Sequence, residues 1–207
     1  NRVPLKDYES IYGDISNSNA IACILEYSLD SERESTIQLQ KKSFKSKKGV
    51  IGIIGAGNFT SSTVLPKLKK INADVKYIAS SSGLSSTIMA KKYNITCSTS
   101  DYKEILKDDD VDLVFVTTQH NMHAKMVIDT IKNGKSVFVE KPLALNTDEL
   151  TKILDSYNNN EGNISVGFNR RFAPLSKKMK SVLGNSKTPI NIIATMNAGY
   201  IPQEVWV

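Results

Sequence analysis

The distribution of apolar and polar positions changes character along the chain. Residues 1–28 carry one strand-like apolar run, Ala20 to Tyr27 (AIACILEY), and residues 29–48 are polar and charged with no sustained apolar period. That second stretch reads as a linker with at most one helical turn. From Gly49 onward, short apolar runs alternate with stretches of helical spacing. Strands are predicted at Val50–Ile54, Val75–Ala79, Ile95–Cys97, Val111–Val116, Ser136–Val139 and Ile164–Val166. Helices are predicted at Phe59–Ile71, Leu84–Tyr93, Tyr102–Leu106 and Ala124–Ile131, with a last one capped by Asn146 or Thr147 and running to about Tyr157. Pro66 sits inside the first helix, removes a backbone donor there, and should kink it or place its regular part later. Asn133-Gly134 supplies a stop for the fourth.

Strands that are apolar on both faces and alternate with helices imply a parallel sheet covered on both sides. Right-handed crossovers then build an α/β, doubly wound Rossmann sheet over residues 49–166. Residues 167–207 read as the start of a truncated α+β domain, with Thr188–Met196 as its first strand. The chain begins at Asn1 and stops at Val207 directly after an apolar stretch, so both ends read as cuts.

Composition narrows this little. A hydrophobic fraction of 40% and a charged fraction of 23% suit an ordinary globular protein. The net charge is +6, but the lysines are scattered, and the densest run (Lys41, Lys42, Lys45, Lys47 and Lys48) falls in the linker. No recognition motif accompanies it, so no nucleic-acid partner is expected. Cys23 and Cys97 have no metal-type spacing and read as buried thiols in a reducing compartment, with no metal site implied. Without a signal peptide or a long apolar run, no membrane partner is expected and the location reads as cytoplasmic.

Candidate chemistry begins at Gly55-Ala56-Gly57-Asn58-Phe59-Thr60, which follows the first strand and opens the first helix. In that context Gly55 allows a tight turn, and Gly57 lets a pyrophosphate approach the free amides of a helix start. The third motif position, usually Gly or Ala, is Thr60, which predicts slightly wider helix–strand spacing. The second strand ends in Ser80-Ser81-Ser82-Gly83, with no carboxylate to repel a 2′-phosphate and no arginine to attract one. Ser80 and Ser81 can bond either group, so NAD or NADP stays open with a slight tilt to NADP.

The most specific stretch is Lys135-Ser-Val-Phe-Val-Glu140-Lys141-Pro142-Leu143-Ala144. A buried strand delivers an ion pair and a proline at its carboxyl end, where open α/β sheets bind ligands. A lysine fixed there can hydrogen-bond a hydroxyl or carbonyl and help move a proton as hydride moves.

With Gly55-Ala-Gly57, Thr117-Thr118-Gln119-His120-Asn121-Met122-His123-Ala124 and Glu140-Lys141-Pro142 together, residues 49–207 resemble the Gfo/Idh/MocA oxidoreductases. The resemblance implies an NAD(P)-dependent enzyme acting on a hydroxyl-bearing carbon of a sugar, nucleotide-sugar or cyclitol-like small molecule. Gly55, Gly57, Asn58, Phe59, Ser80, Ser81, Thr117, Thr118, His120, Glu140 and Lys141 would then face the cofactor. Lys141 is the first catalytic candidate, Glu140 would orient it, and Pro142 would fix the turn through a cis bond. His123 matches the family's helix-opening histidine, divided between helix-end packing and a catalytic role. In Val166-Gly-Phe168-Asn169-Arg170-Arg171, the residues Asn169, Arg170 and Arg171 are candidate substrate contacts. Asn197-Ala198-Gly199-Tyr200-Ile201-Pro202 and Trp206 resemble a two-part subgroup in which residues 1–28 would be the tail of an upstream zinc alcohol dehydrogenase-like module. The intact protein is then expected to be a homo-oligomer and this chain inactive alone. The alternative is a non-catalytic NAD(P)-sensing regulator of the same fold, which has no need of Lys141.

Overall fold

The computed structural model describes residues 2–9, 22–27, 34–44, 49–184 and 188–195, together with 197, 199, 200 and 202. Packing divides the chain into two units, 1–167 and 168–207. Lys45, Lys47, Lys48, Met196, Ala198, Ile201 and Trp206, singled out above, lie outside the described residues.

In the first unit β1 (Arg2–Pro4) and β2 (Ile24–Glu26) form a two-stranded parallel sheet of mostly exposed residues. Ala20 and Ile21 of the predicted run lie outside the described residues, and Cys23 is exposed, which corrects the expectation of a buried thiol there. Cys97 is buried.

The main sheet contains β3 (Thr36–Gln38), β4 (Ile51–Ile54), β5 (Val75–Ala79), β6 (Cys97–Thr99), β7 (Leu113–Val116), β8 (Ser136–Glu140) and β9 (Ile164–Gly167). Their spatial order is β3-β6-β5-β4-β7-β8-β9. All pairs are parallel except β3 with β6. The six parallel strands run outward in both directions from β4, so strand order reverses between β4 and β7, as in a Rossmann sheet. Alternation along β4 divides the core. Ile51 and Ile53 pack with Leu65, Leu68, Ile78 and Ala90 in one cluster, whereas Ile54 joins Val114, Val116, Val127, Val137 and Val139 in another.

The segment expected to be a linker contributes β3, with Thr36 opposite Thr99. Its Ile37 is exposed, so no apolar alternation announced the strand. The predicted strand Ile95–Cys97 forms two residues later because Ser98 and Thr99, polar yet buried, carry the pairing to β5. Ser98 Oγ donates to Ser86 Oγ and Thr99 Oγ1 to the Ser35 carbonyl, which removes the usual cost of burying a hydroxyl.

The helix predicted over Phe59–Ile71 is a wide π-type turn, Thr60–Val64, followed by α1 (Leu65–Lys70). Pro66 is the second residue of α1, directly after the π-type turn, so the regular part of the helix begins beside the proline. The remaining helices are α2 (Leu84–Tyr93), α3 (Lys103–Lys107), α4 (His120–Lys132) and α5 (Thr147–Asn159). Asn146 caps α5, its Oδ1 accepting the Glu149 N–H at 2.9 Å while Glu149 Oε2 accepts the Leu145 N–H at 2.8 Å.

The second unit holds a 3₁₀ turn, Asn169–Phe172, and α6 (Pro174–Leu183). Described residues 188–195 form no strand, contrary to expectation, and Ile193 is 93% exposed. An apolar alternation makes a strand only against a neighbour that pairs its backbone groups, and the described residues give it none. No described helix is long and apolar enough to cross a membrane.

Candidate functional site

Open α/β sheets bind ligands outside the carboxyl ends of their strands, at the point where strand order reverses. Here that point lies between β4 and β7, paired in register from Ile51↔Leu113 to Ile54↔Val116. The ladder continues one step further, with the Thr117 N–H donating to the Ile54 carbonyl at 2.9 Å. Gly55 and Thr117 therefore face each other where the two strands leave the sheet.

The two motif glycines do different work. Gly55 has φ +114°, and a Cβ there would lie 2.8 Å from the backbone carbonyl and Oγ1 of Thr117, so only glycine fits. Gly57 has nothing within 4 Å of a would-be Cβ, which leaves its backbone open to an approaching group. Asn58 and Phe59 are exposed beside it. Thr60 is fully buried, and its Oγ1 donates to the Gly55 carbonyl at 2.7 Å and lies 2.7 Å from Thr117 Oγ1. Threonine at this position begins the π-type turn, with its hydroxyl in contact with the strand end.

At the end of β5 the serine pair separates. Ser80 Oγ donates to Ser86 Oγ and accepts the Ser86 N–H, holding the start of α2, whereas Ser81 is exposed. After β7, Thr117 and Thr118 are half-buried and His120 opens α4.

After β8, Glu140 is half-buried, Lys141 is exposed, and the Lys141–Pro142 peptide is cis. Glu140 lies over the backbone of Gly167 on β9, and a Cβ at that glycine would meet Glu140 Oε1 at 2.6 Å. His123 is fully buried between the two loops. Its Nδ1 lies 2.7 Å from the Pro142 carbonyl and its Nε2 3.1 Å from the Thr118 carbonyl. Both ring nitrogens are committed to backbone, which places His123 as a brace between the loops after β7 and β8. His120 packs edge-on against it with ring centroids 5.5 Å apart. Partial burial, then His123 and the Lys141 ammonium, hold the His120 imidazole below the ordinary histidine value, with Glu140 pulling the other way. Lys141 therefore stands within electrostatic reach of His120.

The first unit thus gathers the glycine turn, the threonine loop and the Glu-Lys-Pro corner along one edge of the sheet. In the second unit Asn169, Arg170 and Arg171 are exposed on the 3₁₀ turn, with the Arg171 guanidinium over the Phe168 ring at 5.6 Å. Gly167 and the Pro142 carbonyl were not anticipated as site elements. A glycine closing an apolar strand was the available signal for the first. The second depends on a contact between residues 19 apart, which no local pattern marks. Among the described residues no group of His, Cys, Asp or Glu is placed to hold a metal ion.

The family described as "Oxidoreductase family, NAD-binding Rossmann fold" matches residues 50–168, more than half of the chain. The chain belongs to the Gfo/Idh/MocA oxidoreductases. Among curated relatives, the uncharacterized oxidoreductase YrbE of Bacillus subtilis is 32% identical over 141 residues, 68% of this chain and 41% of YrbE. Myo-inositol 2-dehydrogenase of Thermotoga maritima is 34% identical over 97 residues, 47% of this chain and 29% of that enzyme. The chain thus spans less than half the length of these relatives. Among solved structures, KijD10, a 3-ketoreductase from Actinomadura kijaniata in complex with TDP-benzene and NADP, superposes with a TM-score of 0.60 at 22% identity, over 65% of this chain and 42% of KijD10. At that identity the likeness speaks for the fold.

Proposed function

We propose that the protein to which this chain belongs is an NAD(P)-dependent oxidoreductase that moves hydride to or from a hydroxyl-bearing carbon of a sugar, nucleotide-sugar or cyclitol-like molecule. The observation that carries this is the common edge of the sheet, on which an open glycine backbone at Gly57 and an exposed Lys141 backed by Glu140 lie at the carboxyl ends of β4 and β8.

A dinucleotide fits the residues present. Gly57 gives its pyrophosphate an unobstructed backbone, and Asn58 and Phe59 flank the approach. Thr117 anchors the loop after β7, Thr118 and His120 follow it along the same edge, and Ser81 lies exposed at the end of β5 for the adenosine ribose. Ser80 contributes by holding the start of α2. With no carboxylate at that strand end, both NAD and NADP are admitted. The nicotinamide, when bound, supplies or accepts the hydride.

Lys141 Nζ holds the substrate oxygen and exchanges its proton with it. Glu140, resting on Gly167, orients Lys141. His123 keeps the corner after β8 at a fixed distance from the threonine loop. Asn169, Arg170 and Arg171 offer amide and guanidinium donors suited to a polyhydroxyl or anionic substrate. Assembly as a homo-oligomer and an alcohol dehydrogenase-like module ahead of residue 29 belong to the same proposal, carried by the likeness to two-part oxidoreductases.

The test is titration of the chain with NADH and NADPH by nicotinamide fluorescence, followed by turnover of the intact protein with Lys141→Ala. Binding in the micromolar range, about −8 kcal/mol, is expected, with turnover lost in the variant. Unchanged turnover in Lys141→Ala removes that residue from the mechanism. Tight binding by an intact protein that turns over no polyol or keto sugar replaces the enzyme reading with that of an NAD(P) sensor.

A further inference from the structure

Two hydroxyls and two backbone carbonyls meet where the strand order reverses, and no ligand is needed to bring them together. Thr60 Oγ1 lies 2.7 Å from both the Gly55 carbonyl and Thr117 Oγ1. Thr117 Oγ1 is itself 3.0 Å from the Gly55 carbonyl and 3.2 Å from that of Ile54. Each hydroxyl has one proton, and the set is satisfied in either direction: one threonine donates to a carbonyl and the other donates to its partner's oxygen. Thr60 is fully buried, so no water competes for these bonds.

We propose that Thr60 and Thr117 form a latch that fixes the glycine turn in register with the loop after β7, so that both halves of one dinucleotide meet their contacts at once. This rests on the reading of the glycine turn as a dinucleotide site. Three observations beyond the bonds themselves support it. The latch sits at the strand-order reversal between β4 and β7, where a ligand spans two strand ends. Thr60, at the third position of the motif, begins a π-type turn, and such turns concentrate at functional sites. Gly55 is pressed onto Thr117 so closely that a Cβ would collide, so the turn and the loop move as one body while the latch holds. Tyr93 adds a tie from α2, its hydroxyl donating to the Ser61 carbonyl at 3.2 Å. Thr60 and Thr117 are positioning residues here, acting through the backbone they hold.

The latch makes a prediction that simple packing does not. A ligand that bridges the turn and the loop depends on their register, whereas a ligand that rests on the turn alone does not. Dissociation constants are measured for NADH, NADPH and ADP with the wild-type chain, Thr60→Ser, Thr60→Val, Thr117→Val and the double Thr60→Val/Thr117→Val variant, with melting temperatures alongside. Each single valine variant is expected to weaken dinucleotide binding about tenfold, roughly what one lost hydrogen bond of 1.4 kcal/mol gives. The double variant should be no weaker than the singles, since either change breaks the same latch. Thr60→Ser keeps the hydroxyl and should stay within about threefold of wild type, and ADP binding should change by less than about threefold throughout. If Thr60→Val does not fold, Thr117→Val, which leaves the Thr60 bond to Gly55 in place, decides alone. Wild-type dinucleotide affinity in the valine variants, or an equal loss for ADP and dinucleotide, overturns the latch while leaving the site itself standing. A wild-type chain that binds neither dinucleotide overturns the site and the latch with it.

Discussion

Gly55 and Gly57 are separated by one residue, yet the structure asks opposite things of them. Alanine at Gly55 must adopt φ +114° and drive a methyl to 2.8 Å from the Thr117 backbone. Both faults act on the folded state, so Gly55→Ala should lower stability by about 2–3 kcal/mol, measured by urea unfolding. Alanine at Gly57 meets nothing within 4 Å. Gly57→Ala should therefore unfold within about 0.5 kcal/mol of wild type, yet bind NADH at least about tenfold more weakly, because its methyl occupies the path of the pyrophosphate. A Gly57→Ala chain with unchanged affinity would move the pyrophosphate off this turn. The two glycines and Glu140-Lys141-Pro142 were readable from the chain because each is a contiguous motif beside a strand. His123 was only half readable. Its place at the opening of α4 was visible, but its role is set by the carbonyls of Thr118 and Pro142, one five residues before it and the other nineteen after. Only the fold brings those together. Thr60 was visible as a departure from the glycine pattern, but the reading of it as a spacer missed the hydroxyl's partners.

Elements were legible wherever burial was purely apolar. The strands at β4, β7 and β8 lie where runs of Val, Ile, Leu and Phe put them, because parallel strands covered on both faces need no polar side. Legibility failed where polar residues are buried or apolar ones exposed. Strand β6 runs through Ser98 and Thr99, and the hydroxyl group of Ser86, Thr87 and Ser98 makes that strand and α2 compatible with a dry interior. Strand β3 is three residues long at the sheet edge and carries little to distinguish it from a linker. Helix ends were legible where a side chain does the capping. Asn146 satisfies the Glu149 amide and the Glu149 carboxylate satisfies that of Leu145, a reciprocal arrangement close to a capping box. Asn146→Ala should lower stability by about 1 kcal/mol, whereas Asn146→Asp should hold it within about 0.5 kcal/mol, since aspartate caps as well and adds charge suited to a helix start. Chemical denaturation of the two variants checks this, and equal losses would show that the α5 start is held by packing instead.

Across the whole molecule, chemistry and anchorage sit at opposite ends of the sheet. The candidate site occupies the carboxyl ends of the strands. At the amino ends, Lys76 of β5 bonds Asp108 and Asp110, each at 2.7 Å, in the turn that leads to β7. The Tyr77 hydroxyl donates to Asp108 at 2.8 Å, and Lys135 donates to the carbonyls of Asp108 and Val111, both at 2.8 Å. Burial alone would raise the Asp108 carboxyl, but hydrogen bonds from Lys76 and Tyr77 carry it below the ordinary aspartate value. Burial would likewise lower Lys76, and its two aspartates raise it above the ordinary lysine value. The signs then follow. A depressed Asp108 contributes stability above the ordinary aspartate range of about 4, and this is lost as pH falls through its depressed value. A raised Lys76 contributes below the ordinary lysine value of about 10.5, and its share is lost only as pH rises beyond that. Lys135, lowered by burial, has the opposite sign, adding stability as pH climbs into the lysine range, so the alkaline limb mixes two effects. Asp129, which burial would raise but Lys125 and Tyr102 hold down, shares the acid limb without touching Lys76. The decisive experiment is therefore on the acid side with Lys76→Met, which removes one partner from a pair whose side chains are only 14% and 17% exposed. At pH 7 the variant should be about 2 kcal/mol less stable than wild type. As pH falls below about 4, protonation of Asp108 removes in the wild type what the substitution has already removed in the variant, so the gap should close. Urea unfolding of both chains from pH 7 to pH 3 measures it. A gap that stays constant over that range would mean that the Lys76 ammonium stabilises the fold through the Phe44 and Tyr77 rings, 5.6 and 5.7 Å from it, and not through its aspartate partners.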